Sequence, residues 1–229
     1  MGNISENLKR INENIRRAEM KAGRPEGSVR LICVSKTVGE QEVREAVRCG
    51  QREFAENRTQ LLREKQQALA DLSGDIKWHL IGQLQTNKIK YCAGKVELIH
   101  SVDRIELAEA IGKYAGAHGL TVKGLLEVNI SGEESKTGLP AAEVDRFLEA
   151  FTAVEDLELC GVMTMAPIGS DERELRTIFA KARELEERIR GMRLPNAPMG
   201  ELSMGMSGDY VEAVLEGATM VRIGTAVFA

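Results

Sequence analysis

The feature that most constrains this sequence is a regular alternation of short apolar runs with helix-period stretches. The first run, Leu31-Ile32-Cys33-Val34 within Arg30–Lys36, is continuously apolar and so reads as a strand buried on both faces. A helix is expected from Glu40 to Cys49, ended by Gly50. The same unit then recurs. Strands are expected at Arg52–Glu56, Ile76–Gly82, Val96–Val102, Val122–Asn129, Leu157–Met165, Glu201–Met204 and Met220–Ile223. Helices are expected between them at Asn57–Leu69, Gln85–Tyr91, Asp103–Ala117, Pro140–Phe151, Asp171–Arg190 and Gly208–Glu216, with a short apolar tail to Ala229. Ahead of the first unit, Ile4, Leu8, Ile11, Ile15 and Ala18 form one apolar stripe on an otherwise polar helix, closed by Gly23 and Pro25.

Strict β–α alternation argues for a parallel sheet, and eight units fit a closed (β/α)8 barrel. The expected architecture is therefore an α/β TIM-type barrel, one domain over residues 1–229, with an extra N-terminal helix. A doubly wound open sheet is the competitor, but no dinucleotide fingerprint follows the first strand. No Pro/Gly/Ser-rich linker divides the chain.

Composition excludes several classes. The chain has 229 residues, 43% hydrophobic, with a formal net charge of −4. Net acidity without a basic run argues against nucleic acid as a partner. One Trp, three Tyr and five Phe are too few for base-stacking platforms. Cys33, Cys49, Cys92 and Cys160 are scattered, with no metal-ligand spacing, and read as free thiols of a reducing compartment. The N-terminus lacks an apolar signal core, and no apolar stretch approaches the length of a membrane span. A cytoplasmic protein that does not engage membranes is expected.

In a barrel of this kind, functional residues lie at the C-terminal ends of strands, and phosphate sites favour the last two loops. Strand one ends in Val34-Ser35-Lys36-Thr37. A lysine closing an apolar strand is expected to be partly desolvated, which favours the neutral amine that attacks carbonyls. A lysine snorkelling to the rim is the other reading of that position. Strand seven runs into Ser203-Met204-Gly205-Met206-Ser207-Gly208-Asp209, a Gly- and Ser-containing turn that offers N–H groups and a hydroxyl to an anion, or simply caps a helix. Strand eight ends in Val221-Arg222-Ile223-Gly224-Thr225, a second Gly-plus-hydroxyl turn. The two turns together point to phosphate, without any nucleotide P-loop sequence. The remaining strand ends carry Glu56-Asn57, Trp78-His79, Asn129 with the charged loop Ser131–Gly138 that includes Lys136, and Met163-Thr164-Met165. For His79 a core histidine is the alternative, for Lys136 a solvated surface, and for the methionines core filling.

These segments stand in an order that resembles the YggS/PROSC family of pyridoxal 5′-phosphate (PLP) homeostasis proteins. The likeness is carried by Trp78-His79-Leu80-Ile81-Gly82-Gln83-Leu84-Gln85-Thr86-Asn87-Lys88 and by Ser203-Met204-Gly205-Met206-Ser207, and it covers nearly the whole chain. It implies the barrel of the alanine racemase N-terminal domain. It implies a Lys36 Schiff base (an internal aldimine) with PLP, and phosphate-binding turns at Ser207, Gly224 and Thr225. By the same resemblance Arg222 faces the pyridine nitrogen, Met165 covers the ring face, and Asn57 and His79 line the pocket mouth, with Ser203 and Met206 in the same binding segment. The sequence departs from the family pattern at Ala55, Gly208 and Ala229, and Ala55 could crowd the pocket.

A cation opposite the ring nitrogen disfavours its protonation and weakens the ring as an electron sink. In the racemases the second base is a tyrosine from a separate C-terminal domain. This sequence ends soon after its last strand, and Tyr91, Tyr114 and Tyr210 are no obvious substitutes. The expectation is a non-catalytic PLP carrier or regulator, a monomer, with apo forms of PLP enzymes as candidate partners and no catalytic residues or metal. A PLP-dependent amino-acid racemase or lyase is the alternative, and a cofactor-free aldolase using Lys36 with Glu56 is a third reading. Whether Lys136 or Lys88 has a role is not legible in the sequence.

Overall fold

The computed structural model describes residues 3–133 and 136–229. Nine parallel strands form it: β1 (Arg30–Val34), β2 (Glu53–Glu56), β3 (Lys77–Leu80), β4 (Leu98–Val102), β5 (Val122–Asn129), β6 (Leu139–Pro140), β7 (Leu157–Met163), β8 (Glu201–Ser203) and β9 (Met220–Ile223). The order β4-β3-β2-β1-β9-β8-β7-β5 closes through an additional β4–β5 pairing, and β6 attaches to β5 alone. The ring is thus the expected eight-stranded barrel.

The helices are α1 (Ile4–Lys21), α2 (Glu40–Arg48), α3 (Thr59–Ala68), α4 (Ile105–Ala117), α5 (Val144–Phe151), α6 (Glu172–Gly191), α7 (Tyr210–Leu215) and α8 (Thr225–Phe228). Local chemistry sets their ends. The Asn3 side chain accepts from Glu6 N–H at the start of α1, and Asp171 and Glu174 form a reciprocal capping box on α6. The stripe Ile4, Leu8, Ile11, Ile15, Ala18 is buried, and α1 packs against α2, α7 and α8.

Three segments differ from the sequence reading. Pro140 does not open a helix. With φ −55° and ψ 136° it is extended and pairs beside Asn129, and a 3-10 turn (Ala141–Glu143) precedes α5. Proline lacks a donor, so it suits a one-sided pairing. Thr86–Tyr91 is a 3-10 helix, and the tail forms the short helix α8.

The core has two layers, as inward and outward side chains alternate along barrel strands. The larger layer lies between strands and helices and contains Phe54, Phe151 and Phe179. The smaller lies inside the barrel: Ile32, Val34, Ala55, Leu98, Leu125, Met163 and Met220. Ala55 is fully buried in that inner layer, so its methyl group packs between strands below the barrel mouth. The rest of the interior is polar. His79, His100, Ser203 and Arg222 share it, with Arg30, Glu53 and Glu201 at the N-terminal end. Among the described residues no helix is long and apolar enough to cross a membrane, and no cluster of His, Cys, Asp and Glu could hold a metal ion.

Candidate functional site

The C-terminal end of the barrel gathers most of the residues singled out in the sequence. β1 stops at Val34, and Ser35-Lys36-Thr37 turns outward from it. The turn is clamped from below. Ser35 N–H donates to Ala55 O at 3.1 Å, and Ser35 Oγ donates to Glu56 Oε1 at 2.6 Å. Lys65, reaching in from α3, donates both to Ser35 O and to Glu56 Oε1. Glu56 is fully buried and Lys65 nearly so, making this a buried ion pair with its donors shared by the backbone it holds. On top of this clamp the Lys36 side chain is exposed, and it makes no hydrogen bond or ion pair with the described residues. The partial desolvation expected for Lys36 is therefore not seen. The reason is the position of the strand end: β1 finishes two residues earlier, so the amine stands clear of the apolar layer.

Beside β1 lie the two Gly-containing turns, which follow β8 and β9. Gly205 has φ +91°, and a Cβ there would lie 2.6 Å from the Ala213 Cβ, so the turn needs glycine both for its backbone and for its approach to α7. The turn is closed by Asp209, whose Oδ1 accepts from Met206 N–H at 2.5 Å. Burial pushes the Asp209 carboxyl up, and the Met206 N–H and the Arg222 charge oppose that. Arg222 N–H donates to Gly205 O at 2.9 Å, and Ser207 Oγ accepts from Ala226 N–H at 3.3 Å, which fasten the two turns together. A Cβ on Gly224 would sit 3.1 Å from Val34 O, so the second turn packs directly against the end of β1. The backbone N–H groups of Ser207, Gly208 and Thr225 make no hydrogen bond to the described residues. These donors, two Gly-containing turns and the base of the lysine turn converge on one end of the barrel.

Beside them, Asn57 follows β2 half-buried, with a buried Oδ1 that has no partner. Gly82 lies over it so closely that a Cβ would meet Asn57 O at 2.0 Å. Met165 follows β7, half-buried on the inner core layer. Ser203 and Arg222 are buried in the barrel interior below the turns. Arg222 donates to Ser203 Oγ at 2.6 Å and to Thr164 O at 3.0 Å. Burial lowers the Arg222 pKa to about 10, with Glu127 and Asp209 opposing that, so the side chain remains a cation.

His79 is not at the mouth. It is completely buried in the barrel, with Nδ1 3.0 Å from His100 Nε2. The reason is register: on β3 it points inward, beside Ala55 of β2, one layer below the strand ends. Lys88 stands in the 3-10 helix after β3, beside the Tyr91 ring with Arg63 and Lys90. Lys136 is half-exposed in the loop after β5, while its neighbours Glu134 and Ser135 lie outside the described residues. Asn129 is spent on that loop, accepting from Gly132 N–H and donating to Glu133 O.

Three residues of the assembly, Lys65, His100 and Glu127, were not singled out from sequence. Lys65 falls on the stripe Leu62, Lys65, Leu69, a helical spacing that signals burial of the lysine. His100 alternates with Leu98 and so was bound to point inward once Leu98 did. Thr164, which contributes a carbonyl, was legible only as part of the strand-end segment Met163-Thr164-Met165. Glu127, buried and accepting from Thr137 Oγ1, carried only its place in a strand.

An exposed, unpartnered amine at the same barrel end as free N–H donors suits a small ligand that carries both a carbonyl and a phosphate. Comparison with known proteins bears on this. Residues 7–229 match the family model for the alanine racemase N-terminal domain. The pyridoxal phosphate homeostasis protein of Aquifex aeolicus is 42% identical over 226 residues, covering 99% of this chain and 97% of the relative. That of Pseudomonas aeruginosa is 38% identical over 228 residues, covering 100% and 96%. The structure of PipY from Synechococcus elongatus with PLP bound superposes with a TM-score of 0.85 at 36% identity, covering 99% of this chain and 100% of that one. Alanine racemase of Clostridium difficile shares the fold at 14% identity, with a TM-score of 0.72 over 99% of this chain and 55% of the racemase. By barrel, by site and by these full-length likenesses, the chain belongs to the YggS/PROSC family of pyridoxal phosphate homeostasis proteins, built on the alanine racemase N-terminal domain.

Proposed function

We propose that this protein binds PLP covalently through Lys36 and serves PLP homeostasis as a carrier or regulator rather than as an efficient enzyme. The observation that carries the reading is the exposed, unpaired Lys36 at the same end of the barrel as the unpaired N–H groups of Ser207, Gly208 and Thr225. The residues present fit the group. The turns offer donors to a phosphate, Gly224 allows close approach, and the orphaned Asn57 Oδ1 leaves an acceptor free at the mouth. Bound PLP supplies an electrophilic aldehyde carbon and an electron-withdrawing pyridine ring. Lys36 provides the nucleophilic nitrogen, and the Lys65–Glu56 clamp fixes the backbone that presents it. Arg222, a buried cation below the turns, disfavours a proton on a nearby ring nitrogen.

Support for a non-catalytic role comes from the tyrosines. Tyr210 is bonded to Asn14 of α1, Tyr114 stacks on His118, and Tyr91 is surrounded by Arg63, Lys88 and Lys90. Each is engaged on the outside of the barrel, and none is placed to act opposite Lys36. The relatives named as PLP homeostasis proteins and the PLP-bound neighbour support the same reading.

The test is the visible spectrum of protein saturated with PLP, followed by borohydride reduction and peptide mapping. A yellow protein with the reduced cofactor's mass on the Lys36 peptide is expected. A colourless protein, or label only on another lysine, overturns the proposal. Exchange of α-hydrogen for deuterium in a panel of amino acids tests turnover. Exchange no faster than with free PLP is expected, and fast Lys36-dependent exchange would replace the carrier role with a racemase or lyase. Loss of PLP from the loaded protein to an apo PLP enzyme, faster than its spontaneous release, would assign delivery.

A further inference from the structure

The barrel interior holds a line of polar groups that the binding site itself does not require. Arg222 Nη1 donates to Ser203 Oγ at 2.6 Å. Ser203 Oγ lies 3.0 Å from His100 Nδ1, and His100 Nε2 lies 3.0 Å from His79 Nδ1. His79 Nε2 lies 3.3 Å from Glu53 Oε2, a charge contact without hydrogen-bond geometry. Glu53 and Glu201 flank Arg30 at the N-terminal end of the barrel. The line therefore runs through the interior, from beneath the Gly-containing turns to the opposite end.

The Arg222 end fixes the direction of the hydrogen bonds in the line, and the Glu53 charge at the other end favours the same order. A guanidinium can only donate, and an ionised carboxylate can only accept. Ser203 Oγ receives the Arg222 N–H, so its own proton is free for His100 Nδ1. His100 then carries its proton on Nε2 and gives it to His79 Nδ1. His79 in turn carries its proton on Nε2, facing Glu53. The opposite order would set a nitrogen lone pair against the Glu53 carboxylate and leave Ser203 with two donors and no acceptor for its proton. Charge enforces the same state. The groups around the imidazole pair are Arg30 on β1, Glu53 on β2, Ser203 on β8 and Arg222 on β9. Burial, then the neighbouring His79, Arg222 and Arg30, hold His100 well below the usual histidine range, so it stays neutral.

We propose that His79 and His100 are positioning residues for Arg222: a proton-ordered pair, anchored by Glu53, that keeps the Ser203 lone pair turned toward the guanidinium. With Thr164 O holding Nη2, Arg222 is fixed at two points and its remaining donors are left for a ligand. The proposal deepens the PLP reading, on which the assignment of Arg222 to the ring nitrogen rests. The inward histidines are thereby structural in contact and functional in effect.

The chain has three histidines, and the exposed His118 serves as an internal reference for long-range 15N–1H correlation spectra. In PLP-free protein, His79 and His100 are both expected to carry their proton on Nε2. A proton on Nδ1 of either ring, or an imidazolium, overturns the proposal whether or not PLP binds. Glu53→Gln replaces a pure acceptor by a group that also donates, so a mixed tautomer population is expected there and an ordered one in Glu53→Asp. In the PLP-loaded protein, Glu53→Gln and His100→Leu are expected to shift the visible band and weaken PLP binding about tenfold, with Glu53→Asp near wild type. Disordered tautomers with an unmoved band and affinity would show that the line does not position Arg222. Ordered tautomers with no PLP on Lys36 would sink the functional reading and not the order of the line.

Discussion

The two ends of the barrel are built from the same strands, and they treat their polar groups in opposite ways. At the N-terminal end Arg30 bonds Glu53 and Glu201, and Thr219 donates to Glu201 and accepts from Leu202 N–H. At the C-terminal end Lys36 is unpaired, three turn N–H groups make no bond to the described residues, and Asn57 Oδ1 is buried without a partner. An end whose charges are paired contributes to stability, whereas an end with unpaired donors suits a ligand. The clamp of Lys65, Glu56 and Ser35 lies between these regimes. It is a buried pair bonded through Glu56 Oε1, with Oε2 left without a partner, and it holds the turn that carries Lys36.

The contrast can be broken most sharply at Lys36. Lys36→Ala is expected to abolish borohydride-fixed label and the visible band, while urea unfolding changes by less than about 0.5 kcal/mol, because the side chain is exposed and free of partners. A large loss of stability would mean that Lys36 belongs to the scaffold. Next comes Lys65→Met, which strands the buried Glu56 carboxylate and is expected to cost about 3–5 kcal/mol in chemical denaturation. Adding Glu56→Leu to that variant is expected to recover much of the loss without restoring PLP binding, since the Ser35 turn stays unclamped. Recovery of both would detach the clamp from the site.

Gly205→Ala is expected to lower stability by about 1–3 kcal/mol and to weaken PLP affinity, through the positive φ and the close Ala213 methyl group. Affinity unchanged at equilibrium dialysis would show that the first turn tolerates displacement.

The smallest effects have opposite signs at the two ends. Burial pushes the Glu53 carboxyl up, but His79, Arg30 and Lys77 outweigh it and hold the group below its ordinary value. Its stabilisation is therefore present above the usual carboxylate range and is lost as pH falls through the folded value. Glu127 is raised, first by burial and then by Asp103, against the Thr137 hydroxyl and Arg222. Its charge thus costs stability as pH rises above the ordinary range. Glu53→Gln should be less stable than wild type at neutral pH, with the gap closing below about pH 4. Glu127→Gln should gain on wild type as pH rises from about 4 to 7. Unfolding free energies across that range, with slopes of the same sign for both variants, would erase the distinction.

Much of the scaffold was legible because periodicity reports burial. The run Leu31-Ile32-Cys33-Val34 could only be a two-sided strand, and repetition of the unit made the barrel. Pro140 misled, since a proline near a helix start and a proline pairing at an edge look alike in sequence, and only the neighbouring β5 backbone distinguishes them. At the site, Lys36 and both turns followed from the rule that strand ends carry function. The depth of His79 and the roles of Lys65 and His100 did not, because they depend on how strands register across the barrel.

The sequence alone determined which elements form, their order, the end that carries the chemistry and the family resemblance, for these are encoded in local spacing and residue type. Only the tertiary structure decided which polar groups meet. Lys65 reaches Ser35 across 30 positions and His100 reaches Ser203 across 103, and no local pattern records those distances. Barrel closure fixes them, because each strand's register with its neighbours sets the layer in which its side chains point inward.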